Sequence, residues 1–322
     1  MVDLPPAPIA LASWPTPLES APRLAEAIGL GADDLWLKRD DLTGLAGGGN
    51  KTRKLEWTLA AALAAGADTV VTTVAPQSNH ARLTAAAAAR VGIDAVLVFP
   101  GREPDGAPAG NLLLDAMLGA QIVWAADTES DGDIADVADA VVRRLRSEGR
   151  RPSLVPFGGS NAFGAQGYRA AAVELLEQLP SLDVVVCAVG SGGTMAGLVA
   201  GLGVDRVLGV HTGAVADPRN TVAHLLQEMG EDVQPEALRL RMDQVGDGYE
   251  TLTGGSRSAL ITAARVGGIV LDPVYMARAF AGLSAEVAEG GITRGTSVVF
   301  LASGGLPGLF GHPSMPSTSW EL

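Results

Sequence analysis

The chain has 322 residues, with 23 Lys plus Arg against 36 Asp plus Glu, a formal net charge of −13. At 47% hydrophobic and 18% charged residues it lies in the globular range, which excludes wholesale disorder, and its length suggests about two domains. The acidic balance argues against nucleic acid as a partner, the single cysteine (Cys187) excludes a disulfide framework, and the four histidines lack close ligand spacing, so no metal is expected.

The chain opens MVDLPPAPIALASW, without a basic stretch, and no apolar run of membrane-spanning length follows. A cytoplasmic location is the expectation. All three lysines (Lys38, Lys51 and Lys54) fall in one glycine-rich segment, KRDDLTG followed by GGGNKTRKLE, while the remaining positive charge is arginine. The spacing predicts a helix over 52–65, which places Lys51 at a loop-to-helix junction. A lysine there suits a phosphate, helped by the helix N-terminus, or a Schiff base with a carbonyl cofactor. It also suits a solvated surface. The Walker A spacing is absent, because Asn50 precedes the lysine.

From residue 68 onward, β-branched runs alternate with Ala- and Leu-rich helical stretches. The runs at 68–74, 95–99, 121–124, 183–189, 206–210 and 297–301 read as buried strands. The intervening helices are expected at 79–91, 110–118, 133–148, 163–179, 194–202, 256–266 and 276–290. This alternation predicts an α/β fold of parallel sheet covered on both faces. Breaks at Leu45–Lys51 and Pro152–Asn161 suggest a smaller lobe at 52–158 inserted into a larger one made of 1–51 plus 159–322. The stretch HPSMPSTSWEL is expected to be irregular.

Three further motifs sit at predicted strand ends. Ser78 or Asn79 of QSNHAR is a good N-cap, and the same free N–H groups would hold a carboxylate, with His80 a titratable neighbour. The turn Gly190-Ser191-Gly192-Gly193-Thr194 can bend its N–H groups around a lone phosphate; it lacks the GxGxxG spacing of dinucleotide folds. Ser303 follows the strand ending at Leu301, where open α/β sheets bind ligands. Tyr249 and Tyr275 stand in loops.

In their order, KRDDLTG, GGNKTRKLE, QSNHAR, GNLLLDAMLGA, GGSNAFGAQGY, GSGGTMAGL, GDGYE, LDPVY and SGGLPGLF resemble the D-cysteine desulfhydrase and 1-aminocyclopropane-1-carboxylate deaminase family, from about residue 10 to 310. These are fold-type II enzymes dependent on pyridoxal 5′-phosphate, related to the tryptophan synthase β subunit. The resemblance implies that Lys51 forms the Schiff base and Asn79 bonds the cofactor's phenolic oxygen. It further implies that Ser78, with the backbone of Asn79 and His80, takes the substrate carboxylate, while Gly190 to Thr194 cup the phosphate. Tyr249 and Tyr275 would be the active-site tyrosines and Ser303 would face the pyridine nitrogen. Where the deaminase has glutamate after the second tyrosine, this chain has Met276, and where it has glutamine, this chain has His80. Desulfhydrases usually have threonine at position 276, so Met276 fits neither member well. The resemblance therefore implies β-elimination from a small β-substituted amino acid, D-cysteine first, with L-cysteate sulfo-lyase next and the cyclopropane deaminase third. A homodimer is expected. A nicotinamide-dependent oxidoreductase is the alternative from another class, disfavoured by the missing GxGxxG.

Overall fold

The computed structural model describes residues 7–127 and 133–315. Its first part contains β1 (Leu18–Ser20), α1 (Pro22–Ala27), β2 (Leu35–Lys38) and α2 (Lys51–Ala64). Next come β3 (Thr69–Thr73), α3 (Asn79–Val91), β4 (Asp94–Phe99), α4 (Gly110–Met117), β5 (Gln121–Trp124), α5 (Ile134–Ser147) and β6 (Pro152–Leu154). Then follow α6 (Ala162–Gln178), β7 (Val184–Val189), α7 (Gly193–Leu202), β8 (Val207–His211), α8 (Pro218–Glu228) and β9 (Leu240–Arg241). The last elements are α9 (Gly254–Gly267), α10 (Met276–Ala288), β10 (Val298–Leu301) and α11 (Leu306–Gly311). The predicted strands and helices recur to within one or two residues at each end. The elements not foreseen are β1, α1, β2, β6, α8, β9 and α11. His312 to Met315 are irregular, as expected; the remainder of that predicted tail lies outside the described residues.

The strands form two sheets, one ordered β1-β2-β10-β7-β8-β9 and one β5-β4-β3-β6. All pairings are parallel except β1 with β2. The strand sequences explain the burial. Along β7, Val184 and Val186 enter one apolar core while Val185, Cys187 and Val189 enter another on the opposite face. Along β4, Ala95, Leu97 and Phe99 face one core while Val96 and Val98 face the other. A strand apolar on both faces needs helices on both, and its residues each contribute about 1.5–3 kcal/mol when fully buried. The strands of the smaller sheet all fall between residues 69 and 154, and those of the larger sheet fall on either side of them.

Parallel strands discharge their chains at one end of a sheet, where ligands bind in open α/β folds. The segments leaving β3, β7 and β10 line a common chamber, together with the start of α2.

Candidate active site

The approach to Lys51 is a loop that only glycines could follow. Gly47, Gly48 and Gly49 have φ of 86°, 72° and 137°, and a Cβ on Gly48 would fall 2.0 Å from the Asp41 carbonyl oxygen. Thr43 accepts from the Gly49 N–H at 2.8 Å, and Asn50 N donates to the Ser303 carbonyl at 2.9 Å. Lys51 is therefore the first residue of α2, one position earlier than the predicted helix, and its Nζ lies 5.9 Å from the Tyr275 ring centroid. Burial pulls its ammonium down to about 8, partly offset by Asp272.

The chamber is lined by Lys51, Ser78, Asn79, His80, Gly190, Ser191, Gly192, Thr194, Tyr275 and Ser303, so ten of the sequence-predicted residues meet there. Gly193 sits at its edge as the first residue of α7, with its N–H donated to Ser160 Oγ at 3.2 Å. Tyr249 is one step back, its hydroxyl hydrogen-bonded to that of Tyr275 with the rings edge to face at 6.0 Å. Burial pushes the Tyr249 phenol up to about 12 and that of Tyr275 well above its ordinary value. Two neutral phenols that share one hydrogen bond commit one proton to it. The other is left to point elsewhere.

Ser78 caps α3, accepting from the N–H groups of His80 and Ala81 at 3.2 and 3.3 Å. The capping role is thus real, and Ser78, Asn79 and His80 at this helix start also line the chamber. His80 is buried against Thr72, with Nε2 3.2 Å from its hydroxyl. Burial and then Lys51 and Lys54 hold its pKa far below the ordinary imidazole value, so it is neutral. Met276 does not line the chamber. Its side chain is 2% exposed and belongs to the core beneath the larger sheet.

Sequence reasoning missed Lys54, Ser160, Asn50 and Asp272. Lys54 is 1% exposed, and its Nζ donates to Ser160 Oγ at 3.0 Å and to the Gly158 carbonyl at 3.4 Å. No carboxylate answers it among the described residues, and burial followed by Lys51 drives its pKa well below the ordinary lysine value. A signal was available, since Lys51 and Lys54 are one helical turn apart and share a face. Asn50 donates to Thr194 Oγ1 at 3.1 Å, tying the lysine loop to the glycine turn. Asp272 accepts from the N–H groups of Val274, Tyr275 and Met276 at 2.8–3.0 Å and so fixes Tyr275 at the start of α10; burial raises its carboxyl to about 6.

These residues fit a phosphate. A Cβ on Gly193 would fall 2.6 Å from Ser160 Oγ and 3.1 Å from Lys54 Nζ, so the turn, the hydroxyls of Ser160 and Ser191, and a buried amine with no carboxylate partner enclose one cradle. Gly192, with φ of 85°, differs: a Cβ there would point at Val222, Leu225 and Thr221 of α8, away from Lys54.

A family profile described as pyridoxal-phosphate dependent enzyme matches residues 9–304. The chain belongs to that family. Its cofactor is pyridoxal phosphate and its chemistry that of a lyase. It is 38% identical to a D-cysteine desulfhydrase of Klebsiella pneumoniae, over 94% of this chain and 95% of that one. It is 37% identical to a protein of Pyrococcus abyssi that carries the name of 1-aminocyclopropane-1-carboxylate deaminase, over 94% and 92%. A crystal structure of an ACC deaminase homologue superimposes with a TM-score of 0.84 at 34% identity, covering 97% of this chain and 96% of that one. The processed form of threonine deaminase isoform 2 from Solanum lycopersicum shares the fold, with a TM-score of 0.66 at 18% identity over 91% and 80%. Among the described residues no helix is long and apolar enough to cross a membrane, and no group of side chains could hold a metal ion.

Proposed function

We propose that this member of the family catalyses β-elimination from a small β-substituted amino acid, with D-cysteine giving pyruvate, sulfide and ammonia. The observation that carries the reading is the chemistry of the chamber wall. No carboxylate lines it, Met276 is turned into the core, and the polar group leaving β10 is the Ser303 hydroxyl. A carboxylate at the ring nitrogen would hold it protonated, whereas a hydroxyl carries no charge to do so. That difference favours elimination over ring opening of the cyclopropane acid. Lys51 and Lys54 are the only lysine or arginine side chains in the wall. With Lys54 given to the phosphate and Lys51 to the cofactor, no fixed cation remains for a sulfonate, which ranks cysteate below cysteine.

Pyridoxal phosphate, when bound, supplies the carbonyl carbon that joins the amino acid and the ring that withdraws electrons from it. Lys51 Nζ, with a pKa near 8, is poised to hold or release a proton close to neutral pH and serves as the base for the α-proton. Ser78 and the N–H groups at the start of α3 receive the substrate carboxylate. Asn79 meets the phenolic oxygen, the 190–194 turn with Lys54 and Ser160 holds the phosphate, and Ser303 meets the ring nitrogen. The phenolic proton that the Tyr249–Tyr275 hydrogen bond leaves free serves, in this reading, to protonate a leaving sulfur. In the same reading residues 52–158 form a smaller lobe inserted into 1–51 plus 159–322, and the protein acts in the cytoplasm as a homodimer.

The test is release of ammonia and 2-oxo acid from the holoenzyme offered D- and L-cysteine, β-chloro-D-alanine, L-cysteate and 1-aminocyclopropane-1-carboxylate, read as pyruvate from the three-carbon substrates and as a four-carbon 2-oxo acid from the cyclopropane acid. D-cysteine and β-chloro-D-alanine should be the best substrates. Ring opening of the cyclopropane acid with no elimination from any β-substituted alanine would restore the deaminase, and preference for L-cysteate would restore the sulfo-lyase.

A further inference from the structure

Placing Asn79 in the chamber leaves open which end of its amide faces the ligand. A chain of buried hydrogen bonds decides it. Arg82 on α3 is wholly buried, and its Nε donates to Asn111 Oδ1 on α4 at 2.8 Å. A guanidinium has no acceptor, so the Asn111 atom it meets is oxygen. The Asn111 nitrogen then points the other way and donates to the Gln77 carbonyl at 2.8 Å and to Asn79 Oδ1 at 3.0 Å. A carbonyl cannot donate, which fixes the same polarity a second time. Asn79 must answer with its oxygen. Its Nδ2 is left facing Gly305, 2.8 Å from where a Cβ there would sit, next to Ser303 and Gly304 of the chamber wall. Among the described residues nothing accepts from that nitrogen.

Arg82 is also committed elsewhere. It donates to the carbonyls of Ala46 and Gly48, the latter at 3.0 Å, so one guanidinium grips both the loop leading to Lys51 and the amide leading to Asn79. Asp115, one turn beyond Asn111, is buried with neither oxygen hydrogen-bonded and does not draw those donors away.

We propose that Asn111 is a positioning residue whose amide, polarised by Arg82, holds Asn79 with its N–H₂ toward the cofactor's phenolic oxygen. The inference rests on the chamber being the pyridoxal phosphate site. A donor on that oxygen draws off part of the negative charge that keeps a proton on the neighbouring Lys51 linkage nitrogen. Losing the donor therefore raises the pH at which that proton leaves.

The experiment is a double-mutant cycle on the holoenzyme, read by pH titration of the visible absorption band, by the cofactor dissociation constant, and by borohydride reduction with mapping of the labelled lysine. Asn79→Leu should raise the titration midpoint by about one pH unit, the size of one lost charge-assisted hydrogen bond. Asn111→Asp still accepts from Arg82 but can no longer donate, so Asn79 turns its oxygen to the ligand. Its midpoint should rise at least as far, with the label still on Lys51 and the cofactor held several-fold less tightly. Asn79→Leu with Asn111→Asp should shift the midpoint no further than Asn79→Leu alone, because Asn111 acts through Asn79. A purely structural role would lower the melting temperature and leave the midpoint in place. Should Asn111→Asp fail to fold, Asn111→Ala takes its place in the cycle with the same non-additivity. A wild-type midpoint in the Asn111 variant with Lys51 labelled, or additive shifts in the double variant, overturns the inference alone. A wild-type protein with no label on Lys51 overturns the reading of the site and the inference with it.

Discussion

The helix α2 carries charge into two dry places and treats them in opposite ways. On one side Arg53 is 4% exposed and completely answered. It pairs with Asp40 at 2.8 Å and Glu174 at 2.9 Å, donates to Thr16, and stacks on Trp14 at 4.0 Å from the ring centroid. Lys38 joins the same network through Glu174 and Gln178. There two cations meet two carboxylates, and Tyr168 completes the shell around Asp40 at 2.5 Å. On the other side Lys51 and Lys54 reach a chamber whose wall offers hydroxyls, carbonyls and N–H groups but no carboxylate. Burying a charge costs several kcal/mol unless a counter-charge meets it. Where the protein supplies the counter-charge the site is structural, and where it withholds it the site is waiting for an anion.

That contrast can be broken at several points. The largest effect is expected at Lys51. Lys51→Ala should cut turnover by roughly 10³-fold or more and abolish the borohydride-reducible link to cofactor, while circular dichroism and the melting transition persist. A reducible adduct that survives on Lys54 would refute the assignment. Next in size is the paired side. Arg53→Leu strands Asp40, which is fully buried, and should lower the unfolding free energy by about 3–5 kcal/mol in urea titration. A loss under 1 kcal/mol would show the network to be dispensable. Lys54→Met removes a buried amine that no carboxylate answers, so the cofactor-free protein should melt no lower than wild type. Its cofactor dissociation constant should nevertheless rise about 10- to 100-fold, as for one lost charge-assisted contact. Unchanged affinity would move the phosphate away from Lys54.

A further expected effect is a slope with pH. The folded pKa of Lys51, about 8, lies below its ordinary 10.5, so between those values the unfolded chain binds more protons than the folded one. Stability of the cofactor-free protein must then rise with pH across that window, with the penalty complete below about 8 and gone above 10.5. The wild-type urea series from pH 7.5 to 10.5, minus the same series for Lys51→Met, isolates this contribution. A flat or falling difference would mean the amine is solvated.

The sequence made the α/β alternation legible because β-branched runs buried on both faces leave a continuous apolar signature, and β7 and β10 carried it in four to six residues. The elements it hid are mostly too short for any period to register. β1 and β6 have three residues and β9 two, and β6 lies in the Pro-rich segment that reads as a domain crossing. The chamber was legible where glycines and capping residues have few other uses, as at 190–194 and 78–80. It was illegible where a residue works through a distant partner. Ser160 gains its meaning from Lys54, 106 positions earlier, and Asn111 from Arg82 on another helix. The clustering of three lysines pointed to chemistry, yet it is three-dimensional pairing that separates Lys38, locked to Glu174, from the two that serve the chamber.

The order of the larger sheet bears on how the protein is made. β10 lies between β2 and β7 and, among the described residues, supplies the only pairing that joins β1 and β2 to the β7-β8-β9 half. The last strand in chain order among the described residues is thus a central one, and Ser303, whose carbonyl pins Asn50 beside Lys51, follows it directly. Until β10 slots in, the nascent protein holds two half-sheets with open edges and a lysine loop lacking its anchor. A chain truncated before residue 298 should neither take up the cofactor nor keep its exposed edges from aggregating.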